Sequence, residues 1–117
     1  MSSIAMARPR YIAFKLTGTP ISRRALGNAL RGRARHEGWT EVDQPQLTRF
    51  LWPHGIVRVE HTHSAKARTL LEAITWASEG DRKSELRIET IATSGTLKAL
   101  TGRLGILTER DASARPA

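Results

Sequence analysis

The sequence predicts an α+β sandwich, on three observations. Four short stretches alternate apolar and polar residues, two longer ones repeat apolar residues at helical spacing, and they occur in the order β-α-β-β-α-β. From Arg10 to Leu16, the residues Ile12, Phe14 and Leu16 face one way and Tyr11, Ala13 and Lys15 the other, as in a half-buried strand. Gly18-Thr19-Pro20 breaks it, and Ser22 is placed to cap a helix reaching His36, with Ala25, Leu26, Ala29 and Leu30 on one face. Gly38 ends that helix. Leu47–Trp52 and Gly55–His61 read as a hairpin about Pro53-His54. Ser64 then caps a second helix whose apolar stripe is Ala67, Leu70, Leu71, Ile74 and Ala77, closed by Gly80-Asp81. Glu85–Thr93 is the fourth strand, with a fault in its alternation after Ile88 that predicts a bulge. Thr96–Leu104 is a short terminal helix.

That order is the ferredoxin-like, or RRM-like, plan: a four-stranded antiparallel sheet, two helices on one face, and here a short C-terminal helix. The first and third strands are central. A chain of 117 residues makes one domain, placed at 9–105 between flexible ends at 1–8 and 106–117.

Composition narrows the partner. Lys plus Arg number 19 against 11 Asp plus Glu, giving a formal charge of +8 and a pI near 11.3. Such a surplus points to a polyanion, first of all nucleic acid. Fifteen of the basic residues are arginine, which grips phosphate with two parallel hydrogen bonds. The charge is uneven: residues 1–58 hold ten basic and three acidic side chains, and residues 59–117 hold nine and eight. The absence of cysteine excludes disulfides and thiolate metal sites. No apolar run approaches the roughly 20 residues needed to span a bilayer, and MSSIAMARPR has no signal-like apolar core. A cytoplasmic protein is the expectation.

The open sheet face would carry Tyr11, Ala13, Lys15, Ile56, Arg58, Glu60, Arg87 and Glu89. The third strand, HGIVRVEH, has no aromatic, so stacking of bases on the sheet is not expected and any RNA contact should be to phosphate and shape. Ile56, Ala13 and Tyr11 call for cover, by the terminal helix or by a protein partner. Arg58 would meet either RNA or a cross-strand carboxylate, Glu60 or Glu89. The first helix and its flanks carry Arg23, Arg24, Arg31, Arg33 and Arg35 with no acid from 22 to 36, a face that fits an external anion.

The strand ending RIETIATSGTLK runs straight into Ser94-Gly95-Thr96 and a helix carrying Lys98. Hydroxyls and backbone N–H groups at such a helix start can meet a phosphate, with the lysine one turn in. His61-x-His63 lacks further ligands at a metal spacing, and no nucleophile–base, paired-carboxylate or glycine-rich phosphate loop is present, so neither a metal site nor catalysis by the protein is predicted. Trp39, Trp52 and Trp76 read as core or interface anchors.

Taken together, Arg10-Tyr11, Pro20-Ile21-Ser22-Arg23, Gly55-Ile56-Val57-Arg58 and Ser94-Gly95-Thr96-Leu97-Lys98, in this order, resemble archaeal ribonuclease P protein component 2 and its eukaryal counterpart, over about residues 8–104. The resemblance implies a ferredoxin-like sandwich in the ribonucleoprotein that removes 5′ leaders from precursor tRNA. There the RNA subunit is the catalyst and requires magnesium, while the protein binds no cofactor. It further implies contacts with ribonuclease P RNA, with precursor tRNA inside the complex, and with the TIM-barrel-like protein component 3 in a two-plus-two heterotetramer. Carried over by motif, Arg10, Tyr11, Arg58, Ser94, Gly95, Thr96 and Lys98 are the implied RNA or partner contacts. The basic helix adds Arg23, Arg24 and Arg31. The alternative is a ferredoxin-like regulatory or small-ligand module that dimerises through its apolar sheet face. A hydrolase on the same fold would need a phosphate loop and an activating amide, and the one asparagine, Asn28, lies inside a predicted helix.

Overall fold

Five antiparallel strands and three helices make up the computed structural model, which describes residues 8–104 (side chains through residue 101). The strands are β1 (Pro9–Gly18), β2 (Gln46–Leu51), β3 (His54–Glu60), β4 (Trp76–Glu79) and β5 (Arg82–Ser94), in the sheet order β2-β3-β1-β5-β4. The helices are α1 (Arg23–His36), α2 (Ser64–Ala73) and α3 (Leu97–Leu104). Flexible ends expected at 1–8 and 106–117 fall, apart from Arg8, outside the described residues. No helix among the described residues is long and apolar enough to cross a membrane.

The expected four strands are therefore five. Helix α2 stops at Ala73, where Ile74 turns extended, and Trp76–Glu79 pairs with Arg82–Glu85 around Gly80-Asp81. Ile74 and Ala77 are three apart and fit a helical stripe, but Ala77 between Trp76 and Ser78 fits a strand equally well. β-Branched and aromatic residues at 74–76 favour the strand. Gly80, at φ 65°, supplies the positive φ that a two-residue hairpin turn needs. Ser64 does not cap α2 either. A single 3-10 turn at His61–His63 precedes it, and the Glu60 carboxylate accepts from the Thr62 N–H at 3.1 Å.

Elsewhere local signals and structure agree. Ser22 Oγ accepts from the Ala25 N–H at 3.1 Å, and the Ser22 N–H donates to Glu79 Oε1 at 3.0 Å, tying the start of α1 to β4. Gly38, at φ 86°, ends the turn after α1. Ile12, Phe14 and Leu16 of β1, Val57 and Val59 of β3, and Leu86 and Ile88 of β5 pack against Leu26, Leu30, Leu70 and Leu71 of the two long helices. Each such side chain contributes roughly 1.5–3 kcal/mol on burial.

On the other face a second cluster forms, in which Leu100 of α3 is fully buried on Ala13 and Ile56, flanked by Tyr11, Ala92 and Leu97. The terminal helix is thus the cover that the open face called for. Two irregularities shape that face. In β5 Ala92 pairs with Ala13 but Thr90 with Phe14, so Ile91 is the bulged residue, a little beyond the predicted fault. In β2 Leu47 pairs with Val57 but Arg49 with Ile56, leaving Thr48 between them, its hydroxyl donating to the Ile56 carbonyl at 3.0 Å.

Candidate nucleic-acid interface

Strand register sets four polar side chains in one row across the open face. Gln46 of β2 pairs with Arg58 of β3, Arg58 with Tyr11 of β1, and Tyr11 with Ser94 of β5. Opposed residues of antiparallel strands share a face. Arg58 takes neither of the carboxylates expected for it: its Nη2 donates to Gln46 Oε1 at 3.0 Å. Glu60 is engaged by Thr62 and by His61, whose Nδ1 lies 2.9 Å from it. Arg10 precedes Tyr11 in β1 and pairs with core-side Val59, so it is not part of that row, but its guanidinium reaches the turn after Ser94. Its Nη1 donates to the Pro9 carbonyl at 3.3 Å and lies 3.4 Å from where a Cβ on Gly95 would be, so the guanidinium rests against the β5–α3 turn. Lys98 is exposed in the first turn of α3.

The Ser94-Gly95-Thr96 turn is less open than its sequence suggests. Ser94 Oγ accepts from the Thr96 N–H at 3.3 Å, and Thr96 Oγ1 accepts from the Ala99 N–H at 3.1 Å as the cap of α3. Both hydroxyls therefore serve the protein's own backbone as acceptors, and their O–H groups are what they have left to offer an anion.

Arg23, Arg24 and Arg31 stand apart from that row. With Gly27 and Leu30 they form one wall of a cleft of about 640 Å³, opposite Glu41, Gln44, Pro45, Gln46 and Leu47. Arg23 Nη2 donates to the Leu47 carbonyl at 3.1 Å, and Arg31 hydrogen-bonds the Asn28 side chain. Glu41 is the sole carboxylate on the walls, so the cleft is electropositive. Gln46 belongs to both places, lining the cleft and holding Arg58. Of the other arginines of α1, Arg33 is paired with Glu37 at 2.9 Å and Arg35 is exposed.

One basic residue escaped the sequence reading. Arg49 shares the parity of Leu47, a core-side residue, and would face the core in a regular strand. The irregularity at Thr48 turns it to the open face, opposite Ile56. Its Nη1 donates to the Thr48 carbonyl at 3.1 Å, and the Nε atoms of both Arg49 and Arg58 are buried without a hydrogen-bond partner.

The tryptophans divide. Trp39 is buried, tilted against His63 with ring centroids 5.6 Å apart and with the Lys66 ammonium 4.9 Å from its ring. Trp52 packs on the main core, whereas Trp76, 48% exposed on β4, has Lys83 4.6 Å from its ring. Among the described residues three titratable groups are shifted, none of them lining the arginine cleft. Burial and the neighbouring Lys15 hold the His54 imidazole below its ordinary value. Hydrogen bonds from Thr62 lower Glu60, and hydrogen bonds from Thr90 lower Glu72. Among the described residues no group of three or more His, Asp or Glu is arranged to hold a metal ion.

No protein-family model matches the chain, and no curated protein matches it. Among solved structures it is similar to a chain in the cryo-EM structure of yeast ribonuclease MRP, with a TM-score of 0.54 and 13% identity over 90% of this chain and 95% of that one. The likeness is one of fold.

Proposed function

We propose that this chain is a non-catalytic protein subunit of an RNA-processing ribonucleoprotein of the ribonuclease P/MRP kind, binding folded RNA through its phosphates. The observation that carries the reading is the gathering of Arg10, Tyr11, Arg58, Ser94, Gly95 and Lys98 at one end of the sheet, on a fold shared with a chain of yeast ribonuclease MRP. More finely, its motifs support the role of component 2 of archaeal ribonuclease P, paired with component 3 in a two-plus-two assembly. The RNA would then carry out 5′-leader removal with magnesium. The aromatic-free β3 and the +8 charge support backbone contact over base reading.

Binding to ribonuclease P RNA, followed across a salt series, tests the proposal. Counterion release requires log K to fall linearly with log salt, with a slope of about −0.9 per phosphate neutralised in a duplex region. A flat response refutes it. The finer reading is tested by adding the protein with component 3 to the RNA at low magnesium and measuring precursor-tRNA cleavage; no gain refutes that role. A ligand module dimerising through its sheet has lost its motive, because α3 already occupies the apolar centre of that face.

A further inference from the structure

We propose that the edge strand β2 is a phosphodiester track, over which one strand of a folded RNA passes from the α1 side of the protein to the open face of the sheet. Arg23, Arg24 and Arg31 hold it on the α1 side, and Arg49 and Arg58 on the open face. This deepens, and rests on, the RNA-binding reading above: it gives the path and the chemical group bound.

β2 lies at the sheet edge and pairs with β3 alone, so chain can pass across it. The hydrogen bond from Arg23 to the Leu47 carbonyl seats the cleft on the strand itself. Gln46 is common to both halves, since it lines the cleft and accepts from Arg58. Arg49 comes to the open face through the irregularity at Thr48 and stands beside Ile56, one position along β3 from the core-facing Val57 that separates it from Arg58.

Charge decides the occupant. None of these five guanidiniums forms an ion pair among the described residues; the hydrogen bonds of Arg23, Arg31, Arg49 and Arg58 go to neutral oxygens. Five positive charges around one six-residue strand, with Glu41 the one carboxylate on the cleft wall, repel one another. An extended polyanion relieves that repulsion along its length, and arginine meets phosphate oxygens with matched geometry. Apart from Leu51, the open side of β2 offers no large apolar side chain, and none that is aromatic, so the backbone is what it can hold.

The test uses the full chain and fluorescence anisotropy, with a labelled stem-loop of ribonuclease P RNA as probe and labelled poly-glutamate as a competing polyanion. Arg31→Gln and Arg49→Gln are each expected to weaken RNA binding roughly tenfold at moderate salt and to reduce the salt slope by about one. The double variant should lose about the product of the two factors. Arg68→Gln and Arg82→Gln, exposed positions on α2 and at the β4–β5 turn, are expected to bind as the wild type does. Arg31 is exposed, so its variant remains informative should Arg49→Gln fail to fold. If the wild type binds with a steep salt slope but the Arg31 and Arg49 variants match the controls, the track is overturned and the RNA-binding reading stands. Wild-type binding that ignores salt overturns both. Poly-glutamate binding as tightly as the RNA overturns the choice of phosphodiester.

Discussion

Replacing Gly55 with alanine tests the packing beneath the β2–β3 hairpin. Gly55 is paired with Phe14 across β3 and β1, on the face of the main core. A Cβ at Gly55 would lie 2.7 Å from Phe14 Cε1 and 3.1 Å from Cε2, where carbon atoms at rest keep roughly 3.5–4 Å. Phe14 is fully buried, so the ring cannot swing into solvent and must displace its neighbours. Overpacking of this kind costs about 1–3 kcal/mol. Removing a glycine from a strand offsets about 0.5–1 kcal/mol of that. The net loss is about 1–2 kcal/mol, which lowers Tm by roughly 5–15 °C in a domain of this size and the urea midpoint by about 1 M. Urea denaturation of the single variant and of Gly55→Ala in a Phe14→Leu background separates the clash from a backbone effect. With the ring gone the substitution should cost at least about 1 kcal/mol less. An unchanged midpoint, or an equal cost in both backgrounds, refutes the packing argument.

Acid should destabilise the fold in two steps. His54, Glu60 and Glu72 all have folded values below their ordinary ones, so each binds protons more readily in the unfolded chain. Stability is then fully present at neutral pH, declines for His54 as pH drops below 6.5, and declines again for the two glutamates below 4.5. Tm measured from pH 8 to pH 3 checks the sign, and His54→Gln should flatten the upper step alone. Leu100→Ala should cost less than the roughly 2–5 kcal/mol of a core Leu70→Ala, because α3 can lift off while the main core stays intact. Denaturation of both variants checks this, and equal losses would make α3 part of one cooperative core.

β1, α1 and the β2–β3 hairpin were legible because their signals are local. Strict alternation from Tyr11 to Leu16, the Ser22 cap and Gly38 each fix a boundary without help from distant residues. β4 was not legible because Ile74 and Ala77 satisfy both periods; the choice is made by the edge that Arg82–Glu85 offers across the Gly80 turn. The Ser94-Gly95-Thr96 turn shows the same limit at the scale of single bonds. Its residues say that hydroxyls are present, but only the fold decides that they cap α3 instead of standing free. The arginine cleft needed two segments, α1 and residues 41–47, to come together, and α1 alone announced just one wall.

Both strand irregularities act on the same face, and that is how the candidate interface is assembled. A side chain in a strand changes face with every residue, so one extra residue reverses all that follow it. Before Ile91, the β5 residues Leu86 and Ile88 point into the main core; beyond it, Ala92 and Ser94, of the same parity, lie on the open face beside Ala13 and Tyr11. The irregularity at Thr48 does the same for Arg49, which shares its parity with core-side Leu47. Without them Ser94 would enter the core side of the sheet, and Arg49 would be an unpaired charge on the core side, opposite Gly55 and over Phe14. Burying it there would cost several kcal/mol. The open face therefore owes its hydroxyl at Ser94 and its second guanidinium at Arg49 to backbone register, and arginine content alone would not have produced it.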